Sequence, residues 1–186
     1  EWMGQLTEAY VSPLFKEPPR LDAEAAPTLA WLRDQGKRVG LISNVGRTPG
    51  VALRRFLAKE GLSGFFDAML FSDEVRVRKP SREIFQMAAE KLGVAPAEIL
   101  HVGDNLKADV WGARNAGMKA VLLSSEAGRD REAEADPSSL VSISRRLEAG
   151  ITASAIAPDA TITKLGVLAQ ALSRLEETWA KAKSLR

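Results

Sequence analysis

The feature that most constrains the fold is a regular alternation of short apolar strands with amphipathic helices, at intervals of roughly 30 residues. The predicted strands are Arg38–Ile42, Phe66–Phe71, Ile99–Val102 and Lys119–Leu123. The predicted helices cover residues 26–35, 49–60, 82–92 and 107–116, and a glycine follows each one. This alternation predicts an α/β fold, in which a doubly wound parallel sheet lies between two layers of helices.

The composition excludes several classes of protein. The chain has 186 residues, of which 45% are hydrophobic and 27% charged, with a net charge of only +2. No apolar run approaches the ~20 residues that cross a bilayer, and no basic stripe with interleaved aromatic residues indicates nucleic-acid binding. The absence of Cys and the single His exclude disulfides, thiolate metal sites and multi-histidine zinc sites. We therefore expect a cytoplasmic protein, whose oligomeric state the sequence leaves open.

Polar residues stand where predicted strands end or in the loops that follow them. Ser43 and Asn44 follow the first strand, Lys79 precedes a helix, and Asp104 follows the third strand, with Asp109 five positions later. In open parallel sheets, ligands bind outside the carboxyl ends of the strands. We therefore expect these side chains to converge on one pocket.

Phosphoryl transfer requires mainly positioning and charge neutralisation, and these side chains offer both. Ser43, Asn44 and Lys79 are the predicted phosphate-binding residues, and Asp104 is the predicted ligand of Mg²⁺. Lys79 and Asp109 are the predicted catalytic residues, with Asp109 orienting a metal-bound water or Lys79. Taken singly, each residue is also explained as part of a turn, a cap or a solvated surface. We interpret His101 as a packed, hydrogen-bonded residue rather than a catalytic one.

The motifs resemble those of the haloacid dehalogenase-like (HAD) hydrolase superfamily, chiefly its phosphatases with an α-helical cap. The matching segments are Leu41-Ile42-Ser43-Asn44, Lys79 before its helix, and Gly-Asp-x-x-x-x-Asp from Gly103 to Asp109. The resemblance implies an Mg²⁺-dependent phosphatase for a small phosphorylated metabolite. It also implies domains at 1–20 (end of the cap and linker), 21–125 (core), 126–156 (polar loop or insertion) and 157–186 (closing strand and helix).

One family motif is missing from the 186 residues. The family's first strand ends in Asp-x-Asp-x-Thr, whose first Asp attacks phosphorus, and no two Asp residues here are two positions apart. We expect this motif and most of the cap to lie upstream of Glu1, so that the chain alone is inactive. In the family the missing strand lies between the strands ending at Ile42 and Val102. We therefore expect this chain either to close its sheet differently or to be poorly stable.

Two other functions stay open at this stage. A dehalogenase of the same superfamily needs no Mg²⁺ and tends to lack the Gly-Asp pair, so Gly103-Asp104 favours a phosphatase. A catalytically silent binding or regulatory domain is favoured by the missing nucleophile.

Overall fold

The computed structural model describes residues 11–12, 14–46, 48–124 and 157–184. Contacts divide the chain into two compact units, Glu1–Gly93 and Val94–Arg186. Parallel strands and helices alternate in both units, which confirms the predicted α/β class. No helix in the described ranges combines the length and the apolar content needed to cross a membrane.

The first unit is built around two parallel strands. Its elements are α1 (Ala25–Asp34), β1 (Gly40–Ser43), α2 (Gly50–Lys59), a 3₁₀ turn (Ser63–Phe65), β2 (Ala68–Phe71), α3 (Ser72–Val75) and α4 (Arg82–Leu92). Ser43 pairs with Phe71, so that both strands end at the same level of the sheet. Leu70 and Phe71 of β2 are fully buried, as are Ile84 and Phe85 of α4. This buried packing holds the strands in place, so the polar loops that follow β1 and β2 begin at the same end of the sheet.

The second unit contains three parallel strands in the order β3-β4-β5. Its elements are a 3₁₀ turn (Pro96–Glu98), β3 (Leu100–Gly103), a π-helix (Leu106–Trp111), α5 (Gly112–Asn115), β4 (Lys119–Leu123), β5 (Ala160–Ile162), a 3₁₀ turn (Leu165–Val167) and α6 (Leu168–Ser184). Leu168 and Leu175 of α6 pack with Val121 and Ile162 of the sheet in one buried cluster. The apolar stripe of the C-terminal helix therefore covers this sheet, as its spacing predicts.

The predicted start of β1 is two residues too early. The carboxylate of Asp67 accepts the N–H of Val39 at 2.8 Å, and the Arg38 guanidinium donates to the carbonyl oxygen of Leu92. These bonds fix residues 38 and 39 outside the strand, which begins at Gly40. The Val39 N–H, followed by the Arg33 guanidinium, lowers the pKa of the Asp67 carboxyl below its ordinary value.

The predicted helix over 107–116 is confirmed, but its first half is a π-helix. Residues Leu106–Trp111 form a π-helix, in which the N–H of Val110 bonds to the carbonyl oxygen of Asn105 at 3.2 Å, and α5 follows from Gly112. Asp109 lies inside this wider turn, and its side chain binds back to the N–H of Asn105. π-helical turns are rare and frequently occur at functional sites.

The described strands form two ladders, β1-β2 and β3-β4-β5. β1 and β3 are each an end strand of their ladder. The low stability expected for this chain stays a prediction. So do the domain boundaries, since residues 1–10 and the predicted insertion 126–156 lie outside the described residues.

Candidate phosphate and magnesium site

Ser43 ends β1 and carries the first predicted phosphate ligand. The residue is half-buried, and its hydroxyl makes no hydrogen bond to any other described residue. A half-buried hydroxyl without an internal partner is suited to donate a hydrogen bond to an anion that enters from solvent. The structure thus leaves the Ser43 side chain available at the end of its strand.

Asn44 is bonded to the main chain of Lys79, 35 positions away in the sequence. Its Nδ2 donates to the Lys79 carbonyl oxygen at 2.8 Å, and its Oδ1 accepts the Lys79 N–H at 2.8 Å. These two bonds attach the loop before α4 to the end of β1. The structure therefore brings together two of the predicted phosphate-binding residues, Asn44 and Lys79.

We expect Asn44→Ala to lower the free energy of unfolding by about 1–3 kcal/mol, because two main-chain groups of Lys79 lose their partner. Hydrogen exchange should show faster exchange of the Lys79 amide. Asn44→Asp keeps an acceptor for the Lys79 N–H and should protect that amide better than Asn44→Ala. The matched control is Asn115→Ala, at an exposed position of α5. Unchanged exchange of the Lys79 amide in Asn44→Ala would show that the two bonds do not hold the loop.

Asp109, in the second unit, is held at both of its carboxylate oxygens. Its Oδ1 lies 3.0 Å from Nε2 of His101, and its Oδ2 accepts the N–H of Asn105 at 3.1 Å. The residue is only 3% exposed. A Cβ atom at Gly103 would lie 2.3 Å from Cγ of Asp109, so the carboxylate occupies the space that a side chain at position 103 would need. The close approach of the Asp109 side chain thus explains why position 103 of the Gly-Asp motif is a glycine.

Asp104 lies on the turn between β3 and the π-helix. Its side chain is exposed and makes no hydrogen bond or ion pair within the described ranges. The next residue, Asn105, caps the π-helix, because its Oδ1 accepts the N–H groups of Lys107 and Ala108 at 3.0 and 2.7 Å. The turn that carries Asp104 is therefore fixed on both sides, while the carboxylate itself is available.

The turn after β3 offers Mg²⁺ one protein carboxylate as a ligand, that of Asp104. Mg²⁺ usually keeps several waters and takes one or two carboxylates plus the oxygens of a substrate phosphate. No group of three or more His, Cys, Asp or Glu side chains that could hold a metal ion occurs in the described part of the chain. Asp104, which is exposed and has no partner in the described part of the chain, is suited to be such a single ligand.

Two contacts at these turns were not predicted from the sequence. The packed and hydrogen-bonded state of His101 is confirmed, but its partner, Asp109, was not foreseen. The bonds from Asn44 to Lys79 were likewise not foreseen, because no spacing rule relates residues so far apart. The missing side chain at Gly103 is the one sequence signal that pointed to close packing at this turn.

Comparison with known proteins identifies the family. A family model described as haloacid dehalogenase-like hydrolase matches residues 5–117. The chain belongs to the haloacid dehalogenase-like hydrolase family.

Relatives with assigned activities match a large part of the chain. A glyceraldehyde 3-phosphate phosphatase of Methanopyrus kandleri is 36% identical over 115 residues, which cover 61% of this chain and 47% of the relative. A phosphoserine phosphatase of Thermus thermophilus is 38% identical over 135 residues, which cover 72% of this chain and 51% of the relative. The chain therefore spans about half the length of these curated relatives.

Solved structures of the HAD family share the fold. A HAD phosphatase from Thermococcus onnurineus has a TM-score of 0.64 and 30% identity, over 88% of this chain and 64% of that one. An L-2-haloacid dehalogenase from Xanthobacter autotrophicus has a TM-score of 0.61 and 27% identity, over 92% of this chain and 66% of that one. The similarity thus extends to the structures of both a phosphatase and a dehalogenase.

Proposed function

We propose that this chain supplies the phosphate-binding and magnesium-binding residues of a phosphatase that acts on a small phosphorylated metabolite. The observation that carries the proposal is the exposed carboxylate of Asp104, which has no partner among the described residues and lies on a turn fixed by Asn105 and Asp109. The similarity to a glyceraldehyde 3-phosphate phosphatase and a phosphoserine phosphatase supports it. A cytoplasmic location is part of the same proposal.

Each predicted residue has a role that suits its surroundings. The Ser43 hydroxyl donates to a phosphate oxygen, and the Lys79 ammonium neutralises negative charge on the phosphate. The side chain of Asn44 already binds Lys79, so its predicted phosphate contact rests on its second Nδ2 hydrogen. Asp104 would hold Mg²⁺, which, when bound, reduces the repulsion between the phosphate and an incoming nucleophile.

The nucleophile of the proposed reaction is a carboxylate outside these 186 residues, because they contain no Asp-x-Asp pair. That carboxylate would form the aspartyl phosphate, whose hydrolysis completes the reaction. Asp109 would act by holding the turn that carries Asp104, since both of its oxygens are already hydrogen-bonded.

Two alternatives are kept because specific observations favour them. A dehalogenase is favoured by the fold similarity to the Xanthobacter enzyme. A silent binding domain is favoured by the lack of an Asp-x-Asp pair in the chain.

Removal of the metal separates these functions. In a polypeptide that joins this chain to a segment with the aspartate nucleophile, we expect EDTA to lower the hydrolysis of p-nitrophenyl phosphate by at least ~10²-fold, because charge stabilisation by the ion is lost. Excess Mg²⁺ should restore the rate. Release of halide from a 2-haloacid in the presence of EDTA would favour the dehalogenase instead. Binding of Mg²⁺ and phosphate without any turnover would favour the silent domain.

A further inference from the structure

His101, the only histidine of the chain, is hydrogen-bonded to Asp109, the one buried acidic residue among those that the structure describes. His101 lies on β3, and its side chain is 13% exposed, while that of Asp109 is 4% exposed. The separation of 3.0 Å between Nε2 and Oδ1 is that of a hydrogen bond. When the Asp109 carboxylate is ionised it can only accept hydrogen bonds, and Nε2 of His101 then carries the shared hydrogen.

This bond is one of several that join three successive parts of the chain. His101 belongs to β3, Asn105 to the turn, and Asp109 to the π-helix. The Asp109 carboxylate links the first two through its separate oxygens. Asp104 directly precedes Asn105, and the N–H of Asn105 donates to the Asp109 carboxylate. The position of the Asp104 main chain therefore depends on how the Asp109 carboxylate is oriented.

We propose that His101 is a positioning residue for magnesium binding at Asp104, acting through Asp109. The inference rests on the proposed function, because it takes Asp104 as the ligand of Mg²⁺. Without the Nε2–H donor, the buried Asp109 carboxylate loses its hydrogen bond to His101 and can rotate from its present orientation. That rotation releases the Asn105 N–H and widens the range of positions open to Asp104. Partners that orient metal ligands in this way are typically worth 10–100-fold in metal affinity or activity.

The test compares the Mg²⁺ affinity of variants of this chain by calorimetric titration with the metal alone. We expect His101→Leu to raise the Kd by at least ~10-fold. His101→Gln supplies an N–H donor of similar reach and should stay within about 3-fold of the wild type, which a role in packing alone would not produce. The control is Leu168→Ala, which removes a buried side chain of the second unit away from this network and should lower stability without changing the Kd. Equal Kd values for the wild type and His101→Leu would overturn the inference, and so would a His101→Gln variant as weak as His101→Leu.

The imidazole itself gives a second readout that needs no metal. Because His101 is the only histidine, nitrogen-15 spectra contain the signals of one ring. We expect a hydrogen on Nε2 that exchanges slowly in the wild type and rapidly in Asp109→Ala. Rapid exchange in the wild type, or a ring protonated on Nδ1 alone, would overturn the inference.

One further variant separates this inference from the proposed function. Asp104→Ala should abolish the measurable binding of Mg²⁺. If it binds like the wild type, or if the wild type does not bind Mg²⁺, the magnesium assignment fails and the inference fails with it. If Asp104→Ala loses binding while His101→Leu keeps it, only the positioning role of His101 fails.

Discussion

Replacement of Asp104 by alanine is expected to lower kcat/KM for phosphate ester hydrolysis by at least ~10²-fold, in a polypeptide that also carries the aspartate nucleophile. Asp104 is the one proposed protein ligand of the metal. Its carboxylate makes no hydrogen bond or ion pair with the described residues, so the fold does not depend on it. The loss should therefore be catalytic, with little change in the free energy of unfolding. Added Mg²⁺ should recover only a small part of the rate.

The matched control for this prediction is Asp34→Ala. Asp34 is another exposed Asp without a partner in the described residues, at the end of α1. Its replacement should leave both the rate and the Mg²⁺ dependence unchanged. A rate for Asp104→Ala within about 3-fold of the wild type at saturating Mg²⁺ would exclude Asp104 as the metal ligand, since single groups that stabilise developing charge are worth much more.

Gly103→Ala is expected to lower the free energy of unfolding by about 3 kcal/mol, at the upper end for an extra methyl group in a packed site. The added Cβ would lie 2.3 Å from Cγ and 2.5 Å from Cβ of Asp109. Those atoms are next to the main chain and cannot move away as the tip of a long side chain would. The Asp109 carboxylate must shift, and its bonds to His101 and Asn105 are then strained or lost.

Urea unfolding of this chain measures the effect, and Gly64→Ala is the control. Gly64 has no atom within 4 Å of the position where a Cβ would stand, so its replacement should change the free energy of unfolding by less than about 0.5 kcal/mol. The Mg²⁺ affinity of Gly103→Ala should fall together with its stability. A Gly103→Ala chain as stable as the wild type would mean that Asp109 does not occupy the space above residue 103.

The elements that were predicted correctly depend on local patterns. The predicted helix over 82–92 is confirmed as α4, and Gly93 ends it in the left-handed conformation at a φ of 64°. The apolar runs also predict the ends of β1 and β3 to within one residue, at Ile42 and Val102. Local propensity and the wider fold agree at these points, which is why the α/β class was predictable.

The contacts that organise the candidate site were not predictable, because they depend on tertiary neighbours. Asn44 looks like an ordinary turn residue until the Lys79 main chain is seen beside it. The first half of the predicted helix over 107–116 is a π-helix, in which the Asp109 side chain binds back to Asn105, and hydrophobic periodicity does not distinguish helix types. The pairing of His101 with Asp109 joins a strand to a helix and has no sequence signature of its own.

The most direct test of the magnesium and phosphate assignment is a crystal structure of the polypeptide with its nucleophile, bound to Mg²⁺ and a phosphate analogue. We expect a carboxylate oxygen of Asp104 at about 2.1 Å from the metal. The Ser43 hydroxyl and the Lys79 ammonium should each be within about 3 Å of oxygens of the analogue. A metal ion bound away from Asp104, or an analogue that contacts neither Ser43 nor Lys79, would contradict the account.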